Sequence, residues 1–337
     1  MKKPNSIALL LMIITSILVA GCSSSAEESS ANNNSETNEI RMAIDTAAGG
    51  SLQFRTAEKQ GFFKNHGIEP QLTNFAMGID TVNAVLTQQA DTGIAADYVT
   101  INSLAKGDMV VVATLTRANE KSSNETQLLV NGDIKKVSDL KGKKLGVSKG
   151  TVYEYVWDKY LKKNKIDVEE VTYVPYSTPD EAIVGMQKGD IDAVWIGGAL
   201  TDKFKGIDGV HQLDDLLGAG VRIDSYLLAD RAFVEKNPKA IENALKALNE
   251  GIVYVEGHKA ETAKLAFEQL KVPEEDAQKD LERTNYVLGF TKEDADHLEE
   301  MKKWLEDQGI LQESFDLNEK LILDPLKKAV PESVTYE

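Results

Sequence analysis

Two stretches of this chain repeat one pattern about a hundred residues apart, and that repeat narrows the folds open to it more than any other feature. Short apolar runs suited to strands alternate with stretches of helical spacing. In the first stretch the pattern predicts strands over 40–44, 70–75 and 92–95, helices over 52–60 (ended by Gly61) and 80–89, and a further helix from near Asp97. In the second it predicts strands over 144–147, 170–175 and 192–196, with helices from Thr151 and from Pro179. Register is kept: Gly50-Ser51 aligns with Gly150-Thr151, Asp80 with Asp180, and Gln88-Gln89-Ala90-Asp91 with Gln187-Lys188-Gly189-Asp190. The chain is therefore expected to be α/β, with two βαβαβ lobes of one design.

Local signals agree. After Thr151, the residues Tyr153, Val156, Trp157, Tyr160 and Leu161 fall at i, i+3, i+4, i+7 and i+8, which is one helical face, so these aromatics read mostly as core. Thr178-Pro179-Asp180-Glu181 supplies an N-cap, a proline at the first helical position and a capping-box Glu. Beyond residue 224 the pattern does not recur. A strand over 225–229 precedes a long helix over 238–256 with Ile241, Leu245, Leu248 and Val255 inward, and Thr291 begins another with Leu298, Met301 and Leu305 inward. Strands joined by helices favour parallel pairing through right-handed crossovers. A strand arriving after the second lobe most simply rejoins the first sheet, which assigns 39–131 plus 224–337 to lobe 1 and 132–223 to lobe 2. Two chain crossings, a hinge, are then expected near 130 and 224.

The first residues carry an export signal. Lys2 and Lys3 precede a thirteen-residue, largely apolar stretch over 7–19 and the sequence Val19-Ala20-Gly21-Cys22. Such a stretch is shorter than the ~20 residues a permanent span needs. Residues 1–21 thus read as a signal peptide. Cys22 is the single cysteine, which rules out disulfides and multi-cysteine metal sites within the chain and fits bacterial lipidation of the first mature residue. Acyl chains contribute roughly 0.8 kcal/mol per buried CH₂, so two or three, palmitate-like, hold a protein at the cell membrane on its extracytoplasmic face. Residues 22–38, rich in Ser, Glu and Asn, read as a disordered tether. Loss of residues 1–21 removes two lysines and no acid, taking the formal net charge from −16 to −18. A basic nucleic-acid footprint is absent.

In open α/β sheets a ligand sits beyond the carboxyl ends of the strands, where helices begin. The repeat supplies such a rim from each lobe. Lobe 1 contributes Gly50, Ser51, Leu52, Gly78, Asp97 and Tyr98, and lobe 2 contributes Gly150, Thr151, Trp195, Gly197 and Gly198. Helix N-termini favour a negative group, by roughly 0.3–1 kcal/mol each. Glycines at Gly50, Gly150 and Gly197 serve either close approach of a ligand or a tight turn. Trp195 fits either the core or the cleft, and Asp97 either receives a ligand amine or caps its helix. Arg117 and Arg222 lie near the crossings, where a solvated arginine or a structural ion pair is the simpler reading. The four histidines, His66, His211, His258 and His297, are scattered without metal-ligand spacing and read as surface residues. No Gly-x-Ser-x-Gly elbow or phosphate loop is present. The expectation is a binding protein without metal or cofactor, not an enzyme.

The segments Glu58-Lys59-Gln60-Gly61-Phe62-Phe63-Lys64-Asn65-His66-Gly67-Ile68, Asp139-Leu140-Lys141-Gly142-Lys143-Lys144-Leu145-Gly146-Val147 and Lys188-Gly189-Asp190-Ile191-Asp192-Ala193, in that order and spacing, resemble the nitrate/sulfonate/taurine-type substrate-binding proteins of ABC importers, which share a fold with thiamine-precursor-binding proteins. Phe233 to Pro238 before the long helix also resembles them. The resemblance implies a type II periplasmic-binding-protein fold, a monomer that closes over a small anionic or zwitterionic solute and delivers it to the permease subunits of an ABC importer. Many relatives have a Trp-x-Pro-Tyr-like segment where this chain has Trp195-Ile196-Gly197-Gly198, and residues 47–52 lack a proline often found there. A thiamine-precursor-like pyrimidine, stacked on Tyr98, Tyr153, Tyr176 or Trp195, is the alternative solute. A pyrimidine-synthase-like enzyme is the alternative of another class, disfavoured because its cysteine-rich motif is missing.

Overall fold

The chain begins with β1 (Glu39–Asp45), α1 (Leu52–Lys59), α2 (Phe62–Asn65), β2 (Glu69–Phe75), α3 (Gly78–Leu86), β3 (Thr92–Ala96), α4 (Asp97–Leu104), β4 (Met109–Thr116), α5 (Glu120–Glu125) and β5 (Gln127–Val130). It continues through β6 (Lys144–Ser148), α6 (Val152–Lys163), β7 (Thr172–Tyr176), α7 (Pro179–Lys188), β8 (Ala193–Ile196), α8 (Leu200–Lys205), β9 (His211–Asp215) and α9 (Leu216–Ala219). The last third holds β10 (Ser225–Asp230), α10 (Arg231–Lys236), α11 (Pro238–Gly257), α12 (Lys259–Leu270), α13 (Glu274–Arg283), β11 (Tyr286–Gly289), α14 (Lys292–Asp307) and α15 (Asp324–Ala329). This computed structural model describes residues 38–46, 51–198 and 200–336. The signal peptide, Cys22, the tether up to residue 37 and Gly50 lie outside them.

Two sheets form, in the orders β11-β4-β10-β3-β1-β2 and β7-β6-β8-β5-β9. The repeat is visible in them. β1 lies between β2 and β3 and is parallel to both, as β6 lies between β7 and β8. Because the β1-to-β2 and β2-to-β3 connections run in opposite directions across the sheet, right-handed crossovers place α1 and α3 on opposite faces. α1 packs against α11 and α12, and α4 against α14. The buried faces of these helices carry Phe54, Ile101, Leu248, Leu298 and Met301. Each such side chain contributes roughly 1.5–3 kcal/mol when removed from water.

The fourth strand of each sheet departs from expectation. β10 does rejoin the first sheet, but antiparallel to β3 and β4, and β5 enters the second sheet antiparallel to β8 and β9. Each of these strands arrives directly from the other sheet and so enters at the end where its neighbours finish. It must run the opposite way. The expected lobe boundary at 131 is therefore corrected: β5 belongs to the second sheet, and the first crossing spans 117–126 between β4 and β5. The second spans 216–224, between β9 and β10.

Helix starts follow the sequence closely. Thr178 Oγ1 accepts from the Glu181 amide while Glu181 answers the Thr178 amide, Pro179 is the first helical residue, and Gly189 ends α7 in the left-handed conformation. Thr291 caps α14 in the same manner with Asp294, and Thr151 caps α6 by accepting from the Tyr153 amide.

Candidate functional site

The carboxyl ends of β1, β2 and β3 in lobe 1, and of β6, β7 and β8 in lobe 2, are followed by α1, α3 and α4 and by α6, α7 and α8. What these helix starts offer a ligand depends on which of their amides the chain already satisfies. In lobe 1, Ser51 precedes α1 but does not cap it; its hydroxyl donates to the Asp45 carbonyl at 2.6 Å, tying the loop to β1. Met77 precedes α3 and has no capping side chain either. α1 also has no acid in its first turn, and Leu52 is buried within it. In lobe 2 the reverse holds. The Tyr153 amide donates to Thr151 Oγ1, the Gly150 amide to Glu154 Oε2 at 2.9 Å, and the Ser177 amide to Glu181 Oε2 at 2.7 Å. Among the described residues, the helix starts without a capping side chain include those of α1 and α3 on lobe 1, with Asp80 in the first turn of α3.

One turn into α1, Arg55 is only 3 % exposed. Its guanidinium donates to Asn74 Oδ1 at 2.6 Å, to Gln269 Oε1 at 3.1 Å and to the Asp45 carbonyl at 3.4 Å, beneath the carboxyl ends of β1 and β2. Burial lowers its pKa, with Asp45 and Glu58 opposing. Elsewhere on α1, both amide atoms of the wholly buried Gln53 lack a hydrogen-bond partner. A buried guanidinium thus lies under the lobe 1 rim, with the Asp45 carboxylate acting on it. Sequence reading did not single out either residue, since neither has a motif around it.

The other predicted positions divide. Gly78 lies at the rim, where a Cβ would meet the Ile94 carbonyl at 3.1 Å and Ala95 Cα at 3.2 Å, so glycine lets α3 close onto β3. Neighbouring Met77 is 53 % exposed, an apolar surface at the mouth of the cleft. Gly150 and Gly198 hold positive φ, and Gly197 leaves room for Thr126 Oγ1, which a Cβ would approach to 2.7 Å. The Tyr153 hydroxyl stands beside Gly197 as well.

Trp195 belongs to the core, not the cleft. It is fully buried, edge-on to Trp157 at 5.9 Å and to Tyr160 at 5.2 Å. Side chains alternate along a strand, and the Trp195 side faces α6. Tyr98 is also buried; its ring leans on Trp304 at 6.2 Å and its hydroxyl donates to Glu154 Oε2 at 2.8 Å across the lobes. Burial, with Glu154 second, raises its pKa beyond the ordinary tyrosine range. With both rings engaged inside the protein, the stacking platform for an aromatic heterocycle is reduced.

Asp97 is fully buried and its carboxylate is spent internally. Oδ1 accepts from the Tyr98 amide at 2.7 Å, and Oδ2 accepts from His297 Nε2 at 2.8 Å and the Asp224 amide at 3.4 Å. His297, expected at the surface, is buried on α14 for this reason. Around it the two crossings converge. Arg117 from the first pairs with Asp294 through two hydrogen bonds of 2.9 and 2.7 Å, and the Ala118 amide donates to Asp224 Oδ1 at 2.8 Å. Arg222 from the second pairs with Asp224 and reaches Asp294 at 3.5 Å. The arginines are structural ion pairs. Burial would depress the His297 pKa, but Asp97 and Asp224 outweigh it and raise it. Burial would raise Asp294, but Arg117 and Thr291 outweigh it and lower it. At Asp224 burial prevails over Arg222, and the pKa rises.

Known proteins share this fold. An Escherichia coli periplasmic aliphatic sulphonate binding protein, SsuA, superposes with a TM-score of 0.71 at 20 % identity, over 85 % of this chain and 92 % of that one. An alkanesulfonate-binding protein from Xanthomonas axonopodis pv. citri, solved with MOPS, gives 0.70 at 16 %, over 86 % and 99 %. The desulfurization enzyme DSZB has the same fold, with a TM-score of 0.66 at 15 % identity over 88 % of this chain and 99 % of that one. The two-lobed type II periplasmic-binding-protein fold is thereby shown. In sequence, a Bacillus subtilis (strain 168) protein named "Putative aliphatic sulfonates-binding protein" is 24 % identical over 238 residues, 68 % of this chain and 69 % of its own length. Residues 51–262, which run from the start of α1 into α12 and include every rim residue named above except Gly50, match the family model described as NMT1/THI5 like, and the chain belongs to that family.

Proposed function

We propose that this protein is the extracytoplasmic solute-binding lipoprotein of an ABC importer, anchored through Cys22, and that it captures a small acid of the sulfonate class between its lobes and hands it to a permease. The observation that carries the solute class is the lobe 1 rim: two helix starts without side-chain caps, α1 and α3, above the buried cation of Arg55. Exposed Met77 offers apolar contact for the carbon chain of such an acid. Sulfonate binding is named for proteins of this fold and for the Bacillus relative, which agrees with the reading.

Binding without transformation is supported by the groups near the rims. The single cysteine is Cys22, far from the cleft in sequence, and the buried histidine is held by Asp97 between the crossings. Among the described residues, His297 and the arginines of the crossings are taken up in internal pairs. Closure about the two crossings would follow from solute binding the closed form better than the open one.

A thermal-shift screen of the full-length chain in detergent tests the reading, with alkanesulfonates, taurine, nitrate, amino acids and pyrimidine precursors. A ligand of the folded state raises the midpoint in proportion to RT ln(1 + [L]/Kd). A rise with alkanesulfonates that is lost in Arg55→Met supports it. A rise with pyrimidines alone would transfer the assignment to an aromatic solute.

A further inference from the structure

The two sides of the cleft differ in a way that bears on which acids fit. At the start of α6 an acid is already in place, and it is the protein's own. Glu154 Oε2 accepts the Gly150 amide at 2.9 Å and the Tyr98 hydroxyl at 2.8 Å, and Oε1 lies 2.9 Å from Lys149 Nζ. Gly150 belongs to lobe 2 and Tyr98 to lobe 1, so this carboxylate stands where donors from both lobes converge. Its side chain is 14 % exposed, which leaves it an edge toward solvent. Burial alone would raise its pKa, but Lys149, the Gly150 amide and Tyr98 outweigh that and hold it below the usual carboxylate range. Glu154 is charged at neutral pH.

The neighbouring start of α7 is covered likewise, by Glu181 on the Ser177 amide. Lobe 1 has no such internal acid at the start of α1, while Asp80 stands in the first turn of α3. An incoming acid group finds no carboxylate at the start of α1, whereas at the start of α6 it finds one already seated on the amide and the neighbouring donors. Specificity of this kind comes from a repulsive element as much as from an attractive one.

We propose that Glu154 is a specificity-determining residue that closes the lobe 2 side of the cleft to a second acid group, so that the protein accepts solutes bearing one acid group and rejects diacids of similar length. The inference rests on the reading above that the solute is an acid held on lobe 1. A second acid group would have to displace Glu154 from three partners or remain beside it unpaired.

Isothermal titration of the full-length chain in detergent with ethanesulfonate and with ethanedisulfonate tests it. Wild type should bind the monosulfonate more tightly by about tenfold or more, the equivalent of one unfavourable charge contact of ~1.4 kcal/mol. Glu154→Gln, which keeps shape and removes charge, should close most of that gap by strengthening disulfonate binding, with monosulfonate affinity changed by less than about threefold. Tyr98→Phe breaks the bridge between the lobes and keeps the charge, so the gap should persist. Equal affinity of wild type for the two compounds overturns the inference without recourse to any variant, as does an undiminished gap in folded Glu154→Gln. Failure of wild type to bind either sulfonate would instead overturn the acid-solute reading, and this inference with it.

Discussion

At the residue scale, the aromatics show how far side-chain type alone can mislead. Trp195 lies one residue before the end of an apolar strand, a position that suits a ligand platform and a core residue equally well in sequence. Its fate is fixed by Trp157 and Tyr160 on α6, whose helical spacing was legible, but whose docking on β8 was not. Trp195→Ala is accordingly expected to cost about 3–5 kcal/mol of stability through the cavity it leaves. Urea unfolding measures this; an unchanged midpoint with lost solute binding would return Trp195 to the cleft. Gly150, open in sequence between close approach of a ligand and a tight turn, holds a positive φ. Gly150→Ala places a Cβ in the left-handed region at φ +75° and is predicted to cost roughly 1 kcal/mol, readable in the same urea experiment.

At the scale of elements, most helices and the parallel strands follow from periodicity and caps. β4, β5, β9 and β11 do not. β5 and β11 are only four residues long, and their pairing partners lie far away in sequence, β8 for one and β4 for the other. The same distance hides the network that binds both crossings to α4 and α14, since His297 and Asp97 are 200 residues apart. Truncating one partner of such a pair leaves a buried charge uncompensated. Arg117→Met should therefore destabilise by about 3–5 kcal/mol, and Arg117→Met with Asp294→Leu should recover much of the loss, measured as a double-mutant cycle in urea.

That network also sets a pH dependence with a definite sign. His297 has a folded pKa above its ordinary value of 6.5, so its contribution is complete below that value and is lost as pH rises through the folded pKa. Asp294 has a folded pKa below the ordinary 3.8, so its contribution is present above 3.8 and is lost as pH falls through the folded value. Asp224, raised by burial, acts in the opposite sense to Asp294: its contribution is present below 3.8 and is lost as pH rises through its folded value. Thermal midpoints measured upward from pH 6.5 should decline in wild type and flatten in His297→Gln. A parallel decline in both would show that another group titrates.

For the whole molecule, the internal repeat made the two-lobed architecture readable, because duplicated register is a long-range signal that survives without any contact being known. The solute was not readable at that scale. It depends on which helix starts are left uncapped, and Ser51, legible in sequence as a rim residue, turns its hydroxyl back to Asp45. The excess of acids over bases, a formal −16, conceals a lobe 1 rim with a buried arginine beneath it. Net charge bears on solubility and steering; recognition is local. The most direct test of capture on that rim is a crystal structure of the protein grown with ethanesulfonate. The account predicts the sulfonate between the lobes, with its oxygens at the first-turn amides of α1 or α3; a sulfonate bound outside the cleft, or at the start of α6 in place of Glu154, would contradict it.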